Sequence, residues 1–200
     1  SRVAFLNPVT LTGDLVELVP LSHDHHDGLV AAASDGELWN LWYTSVPRPE
    51  GMKAEIESRL ALAQAGTMLP FTTIRRSDGA IIGMTTFANA DVPNRRLEIG
   101  YTWNAASAHR SGTNTESKLL LMQHAFEALD CIAVTYQTHW LNMQSRRAIE
   151  RLGAKQDGVL RNHRIMADGS LRDTVVFSII ASEWPAVRNE LRRRLDAHSR

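Results

Sequence analysis

The chain is predicted to fold as an α/β protein built on a mixed sheet with helices on both faces, and three observations predict it. Apolar patterning alternates between period two and helical spacing in the order strand, two helices, three meandering strands, helix, strand, helix, hairpin and terminal helix. That order is neither the strict alternation of a doubly wound sheet nor the all-strand pattern of a sandwich. Asp-Gly pairs at Asp78-Gly79 and Asp168-Gly169 stand between apolar runs, as tight hairpins require. Finally, 200 residues with 44% hydrophobic content supply one sizeable core and not comfortably two, so residues 1–200 are read as a single domain.

The first strand is "GDLVELVPL" (13–21), which alternates apolar and polar residues up to a proline. In "SHDHHDGLVAAASDGELWNLWY", Ser22 or Asp24 offers an N-cap, and apolar residues follow at roughly helical spacing through Leu38, past Gly28 and Gly36. This segment ends on Trp39, Trp42 and Tyr43. Beyond Pro47 and Pro49, "MKAEIESRLALAQAG" is predicted as a helix with Ile56, Leu60 and Ala63 on one face, stopped by Gly66. The strands "PFTTIRR" and "AIIGMTTFAN" flank the first Asp-Gly turn. In the next, "RRLEIGYTWN", Leu97, Ile99, Tyr101 and Trp103 share one parity while Glu98, Gly100 and Thr102 share the other. A carboxylate and a glycine therefore fall on one face, and a glycine within a strand marks a bulge or a close backbone approach.

Then comes "HRSGTNTESKLLLMQHAFEAL" (109–129), a loop with one glycine and several hydroxylated residues feeding a long amphipathic helix. At such a strand-to-helix junction, unpaired N–H groups and the helix dipole suit a phosphate or pyrophosphate. Plain capping by Ser or Thr explains the same residues, and the Gly-Lys-Ser/Thr ending of an ATP-binding loop is missing. A strand "CIAVTYQTH", a helix "NMQSRRAIERLG" ending on Gly153, the second Asp-Gly hairpin and a helix after Ser182, with Pro185 in its first turn, complete the chain.

Lys plus Arg equals Asp plus Glu at 22 each, which gives no electrostatic reason to bind nucleic acid or an anionic membrane. Cys131 is the sole cysteine, so no intramolecular disulfide forms, and no apolar run is long enough for a membrane span or a signal-peptide core. A cytoplasmic location is expected. Three of the 22 basic residues are Lys and the rest Arg, as in a GC-rich bacterial genome. The histidines of "SHDHHD" lack the i, i+4 pairing of a helical metal site, so no metal is expected. The basic run "RNELRRRL" reads as a solvated helix packed through Leu191 and Leu195; an RNA-associated role is the alternative, and steep salt dependence would mark it.

The stretch "LEIGYTWNAASAHRSGTNTESKLLLMQHAFEAL…AVTYQTHWLNMQSRRAIERLGA", with "LWYTSVP" and "DGSLRDTVVFSI", resembles the acetyl-CoA-binding core of the GNAT superfamily, specifically RimJ/RimL-type N-acetyltransferases. The resemblance implies a GNAT fold: a mixed, mostly antiparallel central sheet whose fourth and fifth strands, here "RRLEIGYTWN" and "CIAVTYQTH", splay apart. The family's pyrophosphate loop, usually Gln/Arg-x-x-Gly-x-Gly/Ala, is matched by His109, Arg110, Ser111, Gly112, Thr113 and Asn114, of which only the first glycine agrees. Asn114-Thr115-Glu116 reproduces the Asn-Thr-Glu common in the RimL-like branch. The resemblance implies that residues 109–115 hold the CoA pyrophosphate, with charge from Arg110 and His109. It also implies that the pantetheine arm pairs with backbone around Tyr101, Thr102 and Trp103, and that Asn142 and Ser145 contact the cofactor. The segment bearing Trp39, Trp42 and Tyr43 would roof the acceptor pocket, favouring an apolar acceptor over a highly charged one, unless these aromatics are simply core.

The implied reaction is direct attack of an amine on the acetyl-CoA thioester. An α-ammonium, with a pKa of about 8, needs a base. Glu98 is the candidate; a structural carboxylate paired with Arg95, Arg96 or a cross-strand cation is the competing reading, and ordered water is another route for the proton. A strand N–H near the bulge would polarise the carbonyl. Many relatives carry a tyrosine acid seven residues after the helix Asn, where this chain has Ile149, so Ser145 is the candidate acid, against a capping role or a thiolate that leaves to solvent. Cys131, at a strand start that reads as buried, is not expected to act as a nucleophile. The acceptor is either a protein α-amino group, as on a ribosomal protein, or a small amine, and the resemblance admits a homodimer. A catalytically silent CoA-binding module, motivated by His109 and Asn114, is the alternative.

Overall fold

The computed structural model describes residues 5–41 and 45–199. Strands β1 (Leu11–Thr12) and β2 (Val16–Pro20) form a short hairpin, followed by helices α1 (His26–Ser34) and α2 (Met52–Gln64). Next comes the antiparallel meander β3 (Leu69–Arg75), β4 (Ile81–Asp91) and β5 (Arg96–Asn104). Then follow α3 (Thr113–Gln123), β6 (Ala133–His139), α4 (Met143–Arg151), the hairpin β7 (Lys155–Ile165) and β8 (Leu171–Ile180), and α5 (Trp184–His198). The eight strands lie in the order β1-β2-β3-β4-β5-β6-β8-β7, and among the described strands only the β5–β6 pairing is parallel. The predicted mixed, mostly antiparallel sheet is thus what forms; β1 was not foreseen.

Each face of the sheet carries its own core. On one side Phe71, Phe87, Leu97, Ile99 and Val134 pack against Leu121 and Met122 of α3 and Trp184, Val187 and Leu191 of α5. On the other, Leu29, Ala32 and Ala33 of α1 and Met52 and Ile56 of α2 cover Met84 and Trp103. Burial of these apolar side chains, at roughly 1.5–3 kcal/mol each, is what holds helices to both faces.

Several local expectations change. Helix α1 stops at Ser34 rather than running to Leu38, because Gly36 sits at φ +88°, where a right-handed helix cannot continue. The buried face of α2 is Met52, Ile56 and Arg59, while Leu60 and Ala63 are only half-buried. Helix α3 ends at Gln123 and passes into a π-helical turn, His124–Ala128. In "SHDHHD", Ser22 caps a short 3-10 turn: its Oγ accepts from Asp24 N (3.2 Å), and His25 Nδ1 accepts from Ser22 N (3.1 Å). Among the described residues, no group of three or more His, Cys, Asp or Glu is placed to hold a metal ion, and no helix is long and apolar enough to cross a membrane.

Candidate active site

Strands β5 and β6 pair at only three positions, Arg96↔Ala133, Leu97↔Val134 and Glu98↔Thr135, and then diverge. A cleft of about 470 Å³ opens where they part. It passes through the sheet: Lys118 of α3 and Tyr136 line it from one face, Glu98 and Arg59 from the other.

The divergence coincides with a bulge. Met84 pairs with Trp103 and Thr86 with Gly100, so two steps on β4 face three on β5. The residue that absorbs the extra step is Tyr101, at φ +53°, rather than Gly100. Holding a non-glycine residue there costs about 1–2 kcal/mol. Arg59, only 5% exposed, supplies the restraint: its Nη1 donates to Tyr101 O (3.0 Å) and Thr86 Oγ1 (2.9 Å), and its Nε to Glu55 (2.9 Å). Because a bulge reverses the alternation of faces, Trp103 joins the α1–α2 core while Leu97 and Ile99 stay in the other, which corrects the single parity expected for the four.

Glu98 is 7% exposed and faces the cleft. Asn89 Nδ2 donates to its Oε1 (2.9 Å), and Arg95 is taken by Asp130, so the expected local ion pair is replaced by a neutral hydrogen bond. Burial raises the Glu98 pKa above the ordinary carboxylate range, against the opposing pull of Asn89 and of the Arg164 and Arg172 charges. Gly100 makes room: a Cβ there would sit 3.0 Å from Glu98 Oε2.

Across the cleft, Lys118 escaped sequence reasoning altogether. Its Nζ donates to Thr102 Oγ1 (3.2 Å) and lies 5.8 Å from the Tyr136 ring centre, and burial lowers its pKa to about 8. The only available signal was a lone cation at the edge of the apolar run of α3. Thr102 is further engaged with Thr85 Oγ1 (2.9 Å). Among the described residues, Trp103 Nε1 and Tyr136 OH, both on residues lining the cleft, are buried without hydrogen-bond partners. Such groups cost free energy unless a ligand or water completes them.

Of the loop 109–115, Asn114 and Thr115 line the cleft and residues 109–113 do not. No side chain caps α3: Ser111 Oγ donates to Ala108 O and interacts with Thr113 Oγ1, which is itself within 3.3 Å of that carbonyl. The hydroxyls therefore shape the loop and leave the first-turn amides of α3 uncapped. Gly112, at φ +85°, packs against His198 and Leu15, so the glycine serves backbone conformation and packing. His109 Nε2 lies 3.1 Å from Asn104 O and ties the loop to the end of β5, and Arg110 is exposed at φ +63°. Glu116 is structural: buried on α3, its Oε1 accepts from Leu15 N (2.8 Å) and Val16 N (2.9 Å).

Asn142 and Ser145 both line the cleft; Asn142 Oδ1 accepts from Ser145 N (3.0 Å) as the N-cap of α4, which leaves its amide nitrogen and the oxygen's second lone pair for a ligand. Ser145 is thereby the capped residue and not itself a cap. His139 is buried, lines the cleft and accepts from Leu141 N (3.1 Å) through Nδ1. Trp39 does not roof the cleft: it packs against the α1–α2 core with Arg48 6.0 Å from its ring centre. Trp42 and Tyr43 lie outside the described residues, though Ser45 and Val46 just beyond them line the cleft. Cys131 is 2% exposed, with its thiol pushed up to about 11 by burial, which removes it as a nucleophile at neutral pH.

A family model described as an acetyltransferase (GNAT) domain matches residues 16–155. In Bacillus subtilis (strain 168), the protein named "Putative ribosomal N-acetyltransferase YdaF" is 34% identical over 107 residues, a match spanning 54% of this chain and 57% of that protein. Among solved structures, a GCN5-related N-acetyltransferase from Brucella melitensis is similar with a TM-score of 0.85 and 29% identity, over 94% of this chain and 86% of that one. RimJ of Mycobacterium smegmatis, solved in complex with CoA-disulfide, shares the fold with a TM-score of 0.74 at 24% identity, over 89% of this chain and 90% of that one.

Proposed function

The chain belongs to the GNAT acetyltransferase family, whose members use acetyl-CoA, and on that premise we propose that it is an N-acetyltransferase acting on a primary amine by direct attack on the thioester. The single observation that carries this reading is the buried carboxylate of Glu98 facing the gap between β5 and β6. Burial raises its pKa, which makes it a stronger base than an exposed glutamate.

The groups present fit acetyl-CoA. The uncapped first turn of α3, with residues 109–115, offers amides and a dipole to a pyrophosphate, Arg110 adds charge, and the bulged backbone at Tyr101, Thr102 and Trp103 offers hydrogen bonds to an extended pantetheine arm. Asn142 and Ser145 border the same cleft. When bound, acetyl-CoA supplies the activated acetyl group. Glu98 would take one proton from the incoming ammonium; once the amine nitrogen has bonded to the carbonyl carbon, its second proton would pass through the Ser145 hydroxyl to the sulfur as the carbon–sulfur bond breaks, so that Ser145 gives one proton and regains one. A backbone N–H of the bulge polarises the carbonyl oxygen. The acceptor is a small amine or a protein α-amino group; the name of the Bacillus subtilis relative supports a ribosomal protein.

Calorimetric titration with acetyl-CoA and desulfo-CoA, followed by thiol release on a panel of amines and N-terminal peptides, tests the reading. Turnover should lose activity on acidification with a midpoint above pH 4.5, and Glu98→Gln should cut kcat while acetyl-CoA still binds. Absence of acetyl-CoA binding would overturn the enzyme reading, and binding without turnover would leave a CoA-binding module.

A further inference from the structure

The outer hairpin brings two arginines to the Glu98 side of the cleft. Arg164 on β7 and Arg172 on β8 are paired directly across the ladder, and both line the cleft with Glu98. Like charges opposite one another in an antiparallel pair are destabilising, and an anion between them would relieve the repulsion. The hairpin does not provide it: Asp173, beside Arg172, is taken by Arg161 (2.7 Å) and by Asn162 N (2.7 Å). Arg172 Nε donates to the neutral Thr174 Oγ1 (3.0 Å), and among the described residues no carboxylate is within ion-pair distance of either guanidinium. The charge of Arg59 is already matched by Glu55. Glu98 is then the carboxylate whose charge acts on the pair, one negative charge against two positive, and its own oxygen is bonded to Asn89. The acceptor side of the cleft is left with room for one more anion.

Resting on the acetyltransferase reading, we infer that the acceptor is an amine carrying a carboxylate or phosphate group, held by Arg164 and Arg172 so that its amino group faces Glu98. A planar guanidinium pair suits both oxyanions, and it sets the acceptor's orientation as well as its affinity. This differs from the apolar acceptor expected from Trp39, Trp42 and Tyr43, of which Trp39 packs against the α1–α2 core and the other two lie outside the described residues.

The test uses the intact protein, thiol release and matched acceptors: phenylalanine against phenylalaninamide, phosphoethanolamine against ethanolamine, and peptide amides beginning Ser-Asp against Ser-Asn. The first two pairs separate carboxylate from phosphate, and the third separates a peptide from a free amine. In at least one pair the anionic member should have the higher kcat/KM by about tenfold or more, as expected for one charge-assisted hydrogen bond. Arg172→Gln and, in case that variant misfolds, the exposed Arg164→Gln should each collapse this ratio toward one, chiefly through KM, while Arg172→Lys should retain part of it. Equal use of both members in every pair overturns the inference. So does an arginine variant that keeps the ratio and only moves the acidic limb of the pH profile, because the arginines would then serve Glu98 alone. Acetyl-CoA that binds but is turned over with no acceptor overturns it too. Failure of acetyl-CoA to bind is a different result, removing the enzyme reading and this inference with it.

Discussion

Lys118→Met should make the protein more stable at neutral pH, and the gain should disappear in alkali. The lysine is buried in the cleft wall, and its pKa falls from 10.5 to about 8. A depressed lysine pKa means that the unfolded chain binds the proton more tightly than the folded one, so the lysine opposes folding wherever it must stay charged. Below pH 8 the full difference applies, about 3 kcal/mol for a shift of this size; between pH 8 and 10.5 it is relieved, and at 10.5 less than about 1 kcal/mol remains. Methionine has a similar length and no charge, so the pH-independent part of the substitution cancels when its effects at two pH values are compared. Urea unfolding of both proteins at pH 7 and pH 10.5 should therefore show the advantage of the variant shrinking by about 3 kcal/mol. A stability difference that is the same at both pH values would refute the reasoning, because it would mean that Lys118 keeps its proton as easily in the cleft as in water.

Glu116→Ala removes the acceptor for Leu15 N and Val16 N and should cost about 3–5 kcal/mol in urea unfolding, whereas Glu116→Gln keeps an amide oxygen in place and should cost much less. Arg59→Met frees the Tyr101 carbonyl; kcat should drop at least tenfold while a cooperative thermal melt persists, with partial recovery in Arg59→Lys. Asn142→Ala removes the cap of α4 and should lower stability by about 1 kcal/mol and weaken acetyl-CoA binding measured by calorimetry. Native protein at pH 8 should resist iodoacetamide at Cys131, and labelling should appear only on unfolding, as mass spectrometry would show.

The helices and strands were legible in the chain because period, turn chemistry and stop signals act over a few residues. Gly66 and Gly153 stop helices where expected, and the Asp168-Gly169 hairpin forms between β7 and β8. Glu98, Asn142 and Ser145 were found from the strand and helix they occupy, and the structure brings all three to one cleft. Arg59 and Lys118 were missed, since nothing near them in sequence distinguishes a buried cation from a solvated one. Their roles depend on Tyr101, Thr86 and Thr102, which reach them from other elements.

By itself, then, the sequence determined the order of elements, the mixed character of the sheet and the loop-to-helix junction at Gly112, all properties set by short-range sterics and apolar spacing. Only the tertiary structure decided where β5 leaves β6, which face Trp103 takes and which charges meet around Glu98. A bulge changes the face of every residue beyond it, and it forms where Met84 and Thr86 pair with Trp103 and Gly100 while Arg59, more than forty residues before Tyr101, holds the carbonyl. Long-range pairing of that kind leaves no periodic trace in either segment alone.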